Sequence, residues 1–195
     1  GKNKKEVETY QLSAKANLDE QKNFIIYPDV HFNGEANLLS VNPFLNFKGY
    51  AFHYSWPSRG TALAYDYDND SERQAKKYFT DYLRILINEA KAQELTIIVH
   101  SKGNDMVLSA LNEINASSKS LKPSSLNQLV LASPDIDSTI AIQLLSNLAG
   151  KFSRITLYAN DRDIPLNLSK AKAGGVPRAG QLIDGRPIII AGVDS

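Results

Sequence analysis

The sequence predicts a single α/β domain in which helices cover both faces of a mainly parallel central sheet. Short apolar runs, rich in β-branched residues, alternate along the chain with longer segments whose apolar residues recur at helical spacing. This alternation favours a three-layer α/β/α arrangement, because each strand needs a crossover before the next parallel strand can begin. Functional side chains in such folds gather at the carboxyl ends of the strands. The residues that follow each strand are therefore the first candidates for a site.

The first half of the chain holds two predicted strands. Residues 24–27 form a continuous apolar run that ends at a proline, which is typical of a strand buried on both faces. Residues 36–47 predict only a weak, proline-broken helix. Residues 50–56 form the second strand, which also ends at a proline. A long amphipathic helix then begins with Ser71 as its cap and packs one apolar face on the sheet.

The second half continues the alternation, beginning with a strand, a sharp turn and a helix. A further strand, helix and strand follow, each bounded by proline, glycine or polar residues. A glycine-rich stretch then predicts a long loop with at most one helical turn, before a last apolar run. The predicted elements are strand 95–100, helix 103–116, strand 128–132, helix 138–149, strand 154–159, loop 164–186 with a turn near 166–172, and strand 187–191.

The composition excludes several classes of function. A formal net charge of +1, from 22 basic and 21 acidic residues, offers no basic surface for nucleic acid or an anionic membrane. The absence of cysteine excludes disulfides, thiolate catalysis and cysteine-ligated zinc. No apolar run approaches the roughly 20 residues of a membrane span. We therefore expect a soluble domain with no nucleic-acid partner and no membrane span.

The ends of the chain leave its origin open. Residues 1–22 are polar, so we expect at most one edge strand there and a single domain over residues 23–195. The chain begins at Gly1 rather than at methionine, so an exported or envelope-associated protein whose signal lies outside this sequence stays open. The sequence indicates no oligomeric state.

The most informative segment is the turn at Ser101. An apolar strand runs into His100 and Ser101, Gly103 follows, and a helix starts at once. In a nucleophile elbow this arrangement lifts the serine hydroxyl above the carboxyl end of a central strand. The free backbone N–H groups of the helix can stabilise an oxyanion there. Ser101 is therefore the candidate nucleophile.

A second interpretation of Ser101 is structural. A serine between a strand and a helix is often an N-cap that accepts a hydrogen bond from the first helical turn. The full elbow pattern is Gly-x-Ser-x-Gly, and Val99 stands where the first glycine belongs. The local residues alone leave both interpretations open.

Several motifs follow the predicted strands in a fixed order. They are Tyr-Ser-Trp-Pro-Ser-Arg-Gly at 54–60, His-Ser-x-Gly-Asn at 100–104, Ala-Ser-Pro-Asp-Ile-Asp at 132–137, Tyr-Ala-Asn-Asp-Arg-Asp at 158–163, and Pro-Arg-Ala-Gly at 177–180. Taken together, over residues 24–195, they resemble the α/β-hydrolase fold, and more narrowly a group of uncharacterised bacterial α/β-hydrolase-like proteins. The resemblance favours Ser101 as a nucleophile over Ser101 as a cap.

The resemblance implies a triad in the order Ser, Asp, His, with the acid after strand 154–159. Spacing favours Asp163 for that role, with Asp161 as the alternative, although aspartates also cap turns. Asp135 and Asp137 come one strand earlier. They either shape the site or begin the helix at 138, and the second interpretation is preferred.

The general base is the difficulty in this assignment. Similar proteins place a histidine after the last strand, and the sequence reaches Ser195 before one appears. His100 directly precedes the candidate nucleophile and His53 lies within a strand, so His31 is the one histidine expected near the hydroxyl. Either the base lies beyond Ser195, so that this sequence lacks the C-terminal end of the domain, or the triad is incomplete.

The oxyanion loop also departs from the family pattern. Relatives carry a His-Gly pair after the first buried strand, where this chain has Pro28, which has no N–H to donate. The expected donors are the backbone N–H of Lys102 and those near Val30 or His31. The Lys102 side chain is expected either to attract an anionic substrate or, preferably, to extend into solvent.

The expected function is the hydrolysis of an ester or related acyl bond in a small molecule, esterase-like or lipase-like, with no metal or organic cofactor. The alternative from another class is a catalytically silent hydrolase fold that binds a partner or ligand, which Val99 and the missing base favour. A phosphate-binding doubly wound domain is disfavoured, because the turn carries neither Gly-x-Gly-x-x-Gly nor a P-loop.

Overall fold

The computed structural model of the protein describes residues 23–29, 50–55, 65–89, 94–117, 126–160 and 164–195. These ranges contain a five-stranded sheet and four α-helices. The helix predicted over 36–47 and the polar segment 1–22 lie outside them.

The sheet is parallel throughout its five strands. The strands lie in the order β2-β1-β3-β4-β5, so β3 occupies the centre. Their β-branched and aromatic residues suit a pleated, half-buried surface. The strands are β1 Asn23–Asp29, β2 Tyr50–Ser55, β3 Glu94–His100, β4 Leu126–Ala132 and β5 Arg154–Tyr158.

The first three helices lie side by side, since α2 contacts α1 on one side and α3 on the other. The Asn112 amide joins α2 to α3, because its Nδ2 donates to the Leu144 carbonyl at 3.0 Å. The helices are α1 Tyr65–Arg84, which continues as a π-helical turn over Ile85–Glu89, α2 Gly103–Ala116, α3 Ser138–Leu148 and α4 Ile164–Lys172. The parallel sheet and the four helices confirm the predicted α/β class and fit the three-layer arrangement.

The core lies between the sheet and these helices. Alternate residues of β3 are fully buried, and apolar side chains of α1 and α2 pack against them at helical spacing. The largest fully buried side chains are Phe79, Leu83, Leu86, Leu95, Ile97, Met106, Leu108, Leu111 and Ile114. The central strand, β3, is thereby packed against α2. Only two residues separate the end of β3 from the start of α2.

Three local predictions differ from the structure. Helix α1 begins at Tyr65 rather than at Ser71, since the acidic residues before Ser71 suit the positive end of a helix. Residues 164–172 form a helix of nine residues where a loop with one turn was predicted. The remaining difference is the last strand.

Residues 187–191 do not form the predicted strand. Ile188 and Ile190 are buried and pack on the core, while Ile189 is 77% exposed. The backbone of this segment does not join the sheet. Pro187 has no N–H for a ladder. The chain instead pairs with the edge of β5 at one point, where Asp194 bridges to Thr156.

None of the helices in the described ranges is long and apolar enough to cross a membrane.

Candidate functional site

The chain turns sharply between β3 and α2, and Ser101 stands at the turn. Its φ angle is 50°, in the left-handed region that residues other than glycine rarely adopt. Its N–H donates to the Ala132 carbonyl at 2.9 Å, which ties the turn to the end of β4. A non-glycine residue in this region, between a central strand and a helix, stores backbone strain at the turn.

Ser101 does not cap α2 through its side chain. The cap position belongs to Lys102, whose backbone is already helical and whose side chain makes no capping hydrogen bond. No residue in the described part of the chain hydrogen-bonds the Ser101 hydroxyl. The side chain is only half-buried.

The Ser101 carbonyl is the most heavily bonded group at the turn. It accepts the backbone N–H of Asn104 at 3.2 Å and that of Asp135 at 3.1 Å. It also accepts the side-chain amide of Asn104, whose Nδ2 lies 2.7 Å away. Asn104 is fully buried, and its Oδ1 has no hydrogen-bond partner among the described residues.

Three charged side chains lie close together beside the turn. Glu72 of α1 is 7% exposed, Lys102 is 8% exposed, and Asp105 lies in the first turn of α2. Burial, reinforced by the negative charge of Asp105, raises the pKa of Glu72 from 4.5 to about 7, against the opposing pull of Lys102. The preferred expectation that Lys102 extends into solvent is therefore wrong, because the residue is only 8% exposed.

Asp135 lies in a buried network at the end of β4. Its Oδ1 accepts Arg178 Nε at 2.7 Å and the Ser169 hydroxyl at 2.5 Å. The side chains of Asp135 and Arg178 are 9% and 10% exposed. Asp135 thus anchors the segment after α4 beneath the turn, and it does not begin α3.

Asp137 behaves as the sequence predicted and caps α3. Its Oδ1 accepts the N–H groups of Thr139 at 2.7 Å and Ile140 at 3.3 Å. The preferred interpretation of Asp137 as a structural residue is confirmed.

The segment 177–180 closes against the loop after β4. Gly180 N donates to the Pro134 carbonyl at 2.9 Å, and its own carbonyl accepts Asn160 N at 2.8 Å. A Cβ on Gly180 would lie 2.5 Å from the Ser133 carbonyl carbon, so only glycine permits this approach. Because Ser133 N also donates to the Tyr158 carbonyl, the carboxyl ends of β4 and β5 are joined into one rim with the Ser101 turn.

The remaining predicted site residues are only partly covered by the structure. Of the histidines, His53 lies on β2 and His100 at the end of β3, both half-buried. No group of three histidine, aspartate or glutamate side chains within the described ranges could hold a metal ion. The predicted acids and oxyanion-loop residues lie outside those ranges and stay predictions; they are Asp161, Asp163, Val30 and His31.

Three residues of the site were not singled out by the sequence analysis. Arg178 lies within the Pro-Arg-Ala-Gly motif, which could have marked it as a partner for a buried acid. Asn104 completes the His-Ser-x-Gly-Asn motif, and its position in the first turn of a helix was the available signal. Glu72 gave no signal, because its burial depends on how α1 packs against α2.

A family model described as "Alpha/beta hydrolase of unknown function (DUF900)" matches residues 32–187, well over half of the chain. No curated protein gives a significant match, and neither does any solved structure.

Proposed function

Because the chain belongs to a family of alpha/beta hydrolases of unknown function, we propose that it is a serine hydrolase that cleaves an ester or related acyl bond of a small molecule. The observation that carries the proposal is the left-handed backbone of Ser101 at the turn between β3 and α2. Strain of this kind costs about 1–3 kcal/mol and clusters at functional sites. In the proposed mechanism this backbone presents the Ser101 hydroxyl to the substrate at the carboxyl end of β3.

The chemistry begins with the attack of the Ser101 oxygen on the acyl carbon. A histidine takes the hydroxyl proton, and the carbonyl electrons move onto the oxygen to form the tetrahedral oxyanion. When the intermediate collapses, the ester C–O bond breaks and the alcohol leaves with that proton. Water then cleaves the acyl-serine bond by the same steps, which releases the acid and restores Ser101.

The other groups of this mechanism follow from the sequence predictions. Asp163, or Asp161 in its place, orients the histidine; both follow β5, which joins the same rim as the turn. The proposed base is a histidine after Ser195, and His31 is the alternative within this sequence. The oxyanion is held by the Lys102 N–H with those of Val30 or His31. We place those of these groups that lie in this sequence in a single domain, residues 23–195.

The test is covalent labelling with a fluorophosphonate probe, which reacts only with an activated serine. We expect the probe to label Ser101, as located by peptide mass spectrometry, and the protein to hydrolyse p-nitrophenyl esters of short to medium chain. Ser101→Ala should abolish both. The matched control is Ser109→Ala, which removes a half-buried serine hydroxyl from α2 and should leave both intact.

A second function competes with this proposal. Val99 is fully buried where the elbow pattern has its first glycine, which favours a silent hydrolase fold that binds without catalysis. A folded wild-type protein that neither reacts with the probe nor hydrolyses any ester would favour this alternative. Labelling that persists in Ser101→Ala would instead assign the reactive hydroxyl to another serine and contradict the role proposed for Ser101.

A further inference from the structure

We propose that Asn104 is a positioning residue: its side-chain amide fixes the peptide group between Ser101 and Lys102 and so directs the Lys102 N–H toward the oxyanion. The inference rests on the proposed function, since it concerns the donor that holds the oxyanion. It adds to that function a residue that acts through another group and does not touch the substrate.

The first step is the hydrogen bonding of the Ser101 carbonyl. Three N–H donors converge on this oxygen, at distances between 2.7 and 3.2 Å. Two of them are backbone groups, of Asn104 and Asp135, and the shortest bond comes from Asn104 Nδ2. A carbonyl held from three directions cannot rotate without breaking several bonds.

The second step is the geometry of the peptide group. The described chain contains no cis peptide bonds, so the carbonyl of Ser101 and the N–H of Lys102 point in opposite directions across one rigid plane. The donors that bind the carbonyl on one side therefore determine where the N–H points on the other. A rotation of this plane would turn the Lys102 N–H away from the rim.

The third step is the cost of placing an amide at this position. Asn104 is fully buried, and its Oδ1 has no partner among the described residues. A buried polar atom without a partner destabilises the folded state. An apolar residue would avoid that cost in the first turn of α2. The benefit of the amide therefore lies in the bond from Nδ2 to Ser101.

The experiment compares two isosteric substitutions on the same helix. Asn104→Asp replaces the Nδ2 donor by an acceptor at the Ser101 carbonyl. Asn112→Asp makes the same change where Nδ2 donates to the carbonyls of Leu108 and Leu144, away from the turn. Both should lower the unfolding temperature, but only Asn104→Asp alters the peptide between Ser101 and Lys102.

Two readouts separate positioning from general stability. We expect Asn104→Asp to lower kcat for a p-nitrophenyl ester by about 10- to 100-fold with KM within twofold, less than direct loss of an oxyanion donor, which costs about 100- to 1000-fold. In ¹⁵N-labelled protein the Lys102 amide cross-peak should shift in this variant. Asn112→Asp should leave kcat within twofold and the Lys102 cross-peak in place.

The inference is overturned if the Lys102 cross-peak and kcat in Asn104→Asp match the wild type, or if Asn112→Asp lowers kcat as strongly. If Asn104→Asp does not fold, Asn104→Ala, which removes the donor without adding a charge, takes its place. If the wild type proves inert toward esters and the probe, the proposed function fails. The Lys102 cross-peak then decides the orientation of the peptide by itself.

Discussion

Arg178 donates a 2.7 Å hydrogen bond through Nε to Asp135 Oδ1, although 43 positions separate the two residues in sequence. Both side chains are about nine-tenths buried. The pair joins the segment after α4 to the loop after β4, and Asp135 in turn donates its N–H to the Ser101 carbonyl. The scaffold of the candidate site is thus linked to a salt bridge shielded from solvent.

Removal of one partner from this pair should be strongly destabilising. We expect Arg178→Met to lower the free energy of unfolding by about 3–5 kcal/mol, because it leaves the Asp135 carboxylate buried without its counter-charge. Urea unfolding measures the change. The control is Arg154→Met, which breaks a pair of equal length to Asp194 whose side chains are 63% and 59% exposed. That exposed pair should contribute less than about 1 kcal/mol. Equal losses in the two variants would contradict the buried role of Arg178.

Replacement of Ser101 by glycine should stabilise the protein while it removes the proposed nucleophile. The left-handed backbone costs an L-residue about 1–2 kcal/mol. Glycine in turn lowers stability by about 0.4–1 kcal/mol, because it raises the conformational entropy of the unfolded chain. We expect Ser101→Gly to gain roughly 0.5–1 kcal/mol in urea unfolding and to lose all fluorophosphonate labelling. Ser133, with a φ of 43°, is the matched control: Ser133→Gly should gain a similar amount and keep the label. A loss of stability in Ser101→Gly would mean that the turn is not strained.

The ionisation of Glu72 should make stability depend on pH. Its pKa is raised from 4.5 to about 7 on folding, so the folded state binds the proton more tightly. This contribution is complete below pH 4.5 and is lost as the pH rises to about 7. Glu72→Gln stays neutral at every pH. Relative to the wild type, its free energy of unfolding should increase as the pH rises from 4.5 to about 7. The difference should reach roughly 3 kcal/mol and stay constant at higher pH.

Urea unfolding of both proteins at pH 5 and pH 8 measures this difference. Glu113→Gln, which changes an exposed carboxylate of α2, is the control and should follow the wild type at both values. A constant difference between wild type and Glu72→Gln across the range would show that Glu72 does not titrate there.

The close approach of Gly180 to the loop after β4 should tolerate no side chain. The Cβ of Gly180→Ala would lie 2.5 Å from the Ser133 carbonyl carbon and 2.6 Å from Pro134 N, both of them backbone atoms. We expect a loss of roughly 3 kcal/mol or more in urea unfolding, since overpacking against rigid backbone is not relieved by a rotamer change. Gly174→Ala is the control. Its φ of +71° strains the backbone, but nothing lies within 4 Å, so its cost should stay near about 1–2 kcal/mol. An equal or smaller loss in Gly180→Ala would mean that the loop yields.

Local signals predicted the fold well and the contacts of the site poorly. Helix α2 begins and ends where the spacing of apolar residues after Gly103 predicted, and Asp137 caps α3, because both depend on neighbours a few residues away. The pairing of Asp135 with Arg178 depends on how two distant loops meet, which no periodicity encodes. The burial of Lys102 likewise depends on tertiary packing and not on the local sequence.

The elements that were predicted wrongly also depend on contacts between distant segments rather than on local signals. The glycines around residue 174 favoured a loop, yet α4 forms ahead of them because Leu166 and Ser169 find buried places. The isoleucines at 188–190 have strong strand propensity, but tertiary packing, not propensity, decides where they lie. Asp161, Asp163, Val30 and His31 stay predictions.

The strand order has a consequence for the nascent chain. β1 and β2 leave the ribosome first, yet the second neighbour of β1 is β3, which is synthesised only after α1. Vectorial synthesis therefore leaves one edge of β1 unpaired until β3 emerges, and β4 and β5 then each cover the open edge of the strand made before them. Because unpaired edges invite aggregation, the synthesis of α1 prolongs the exposure of that edge of β1.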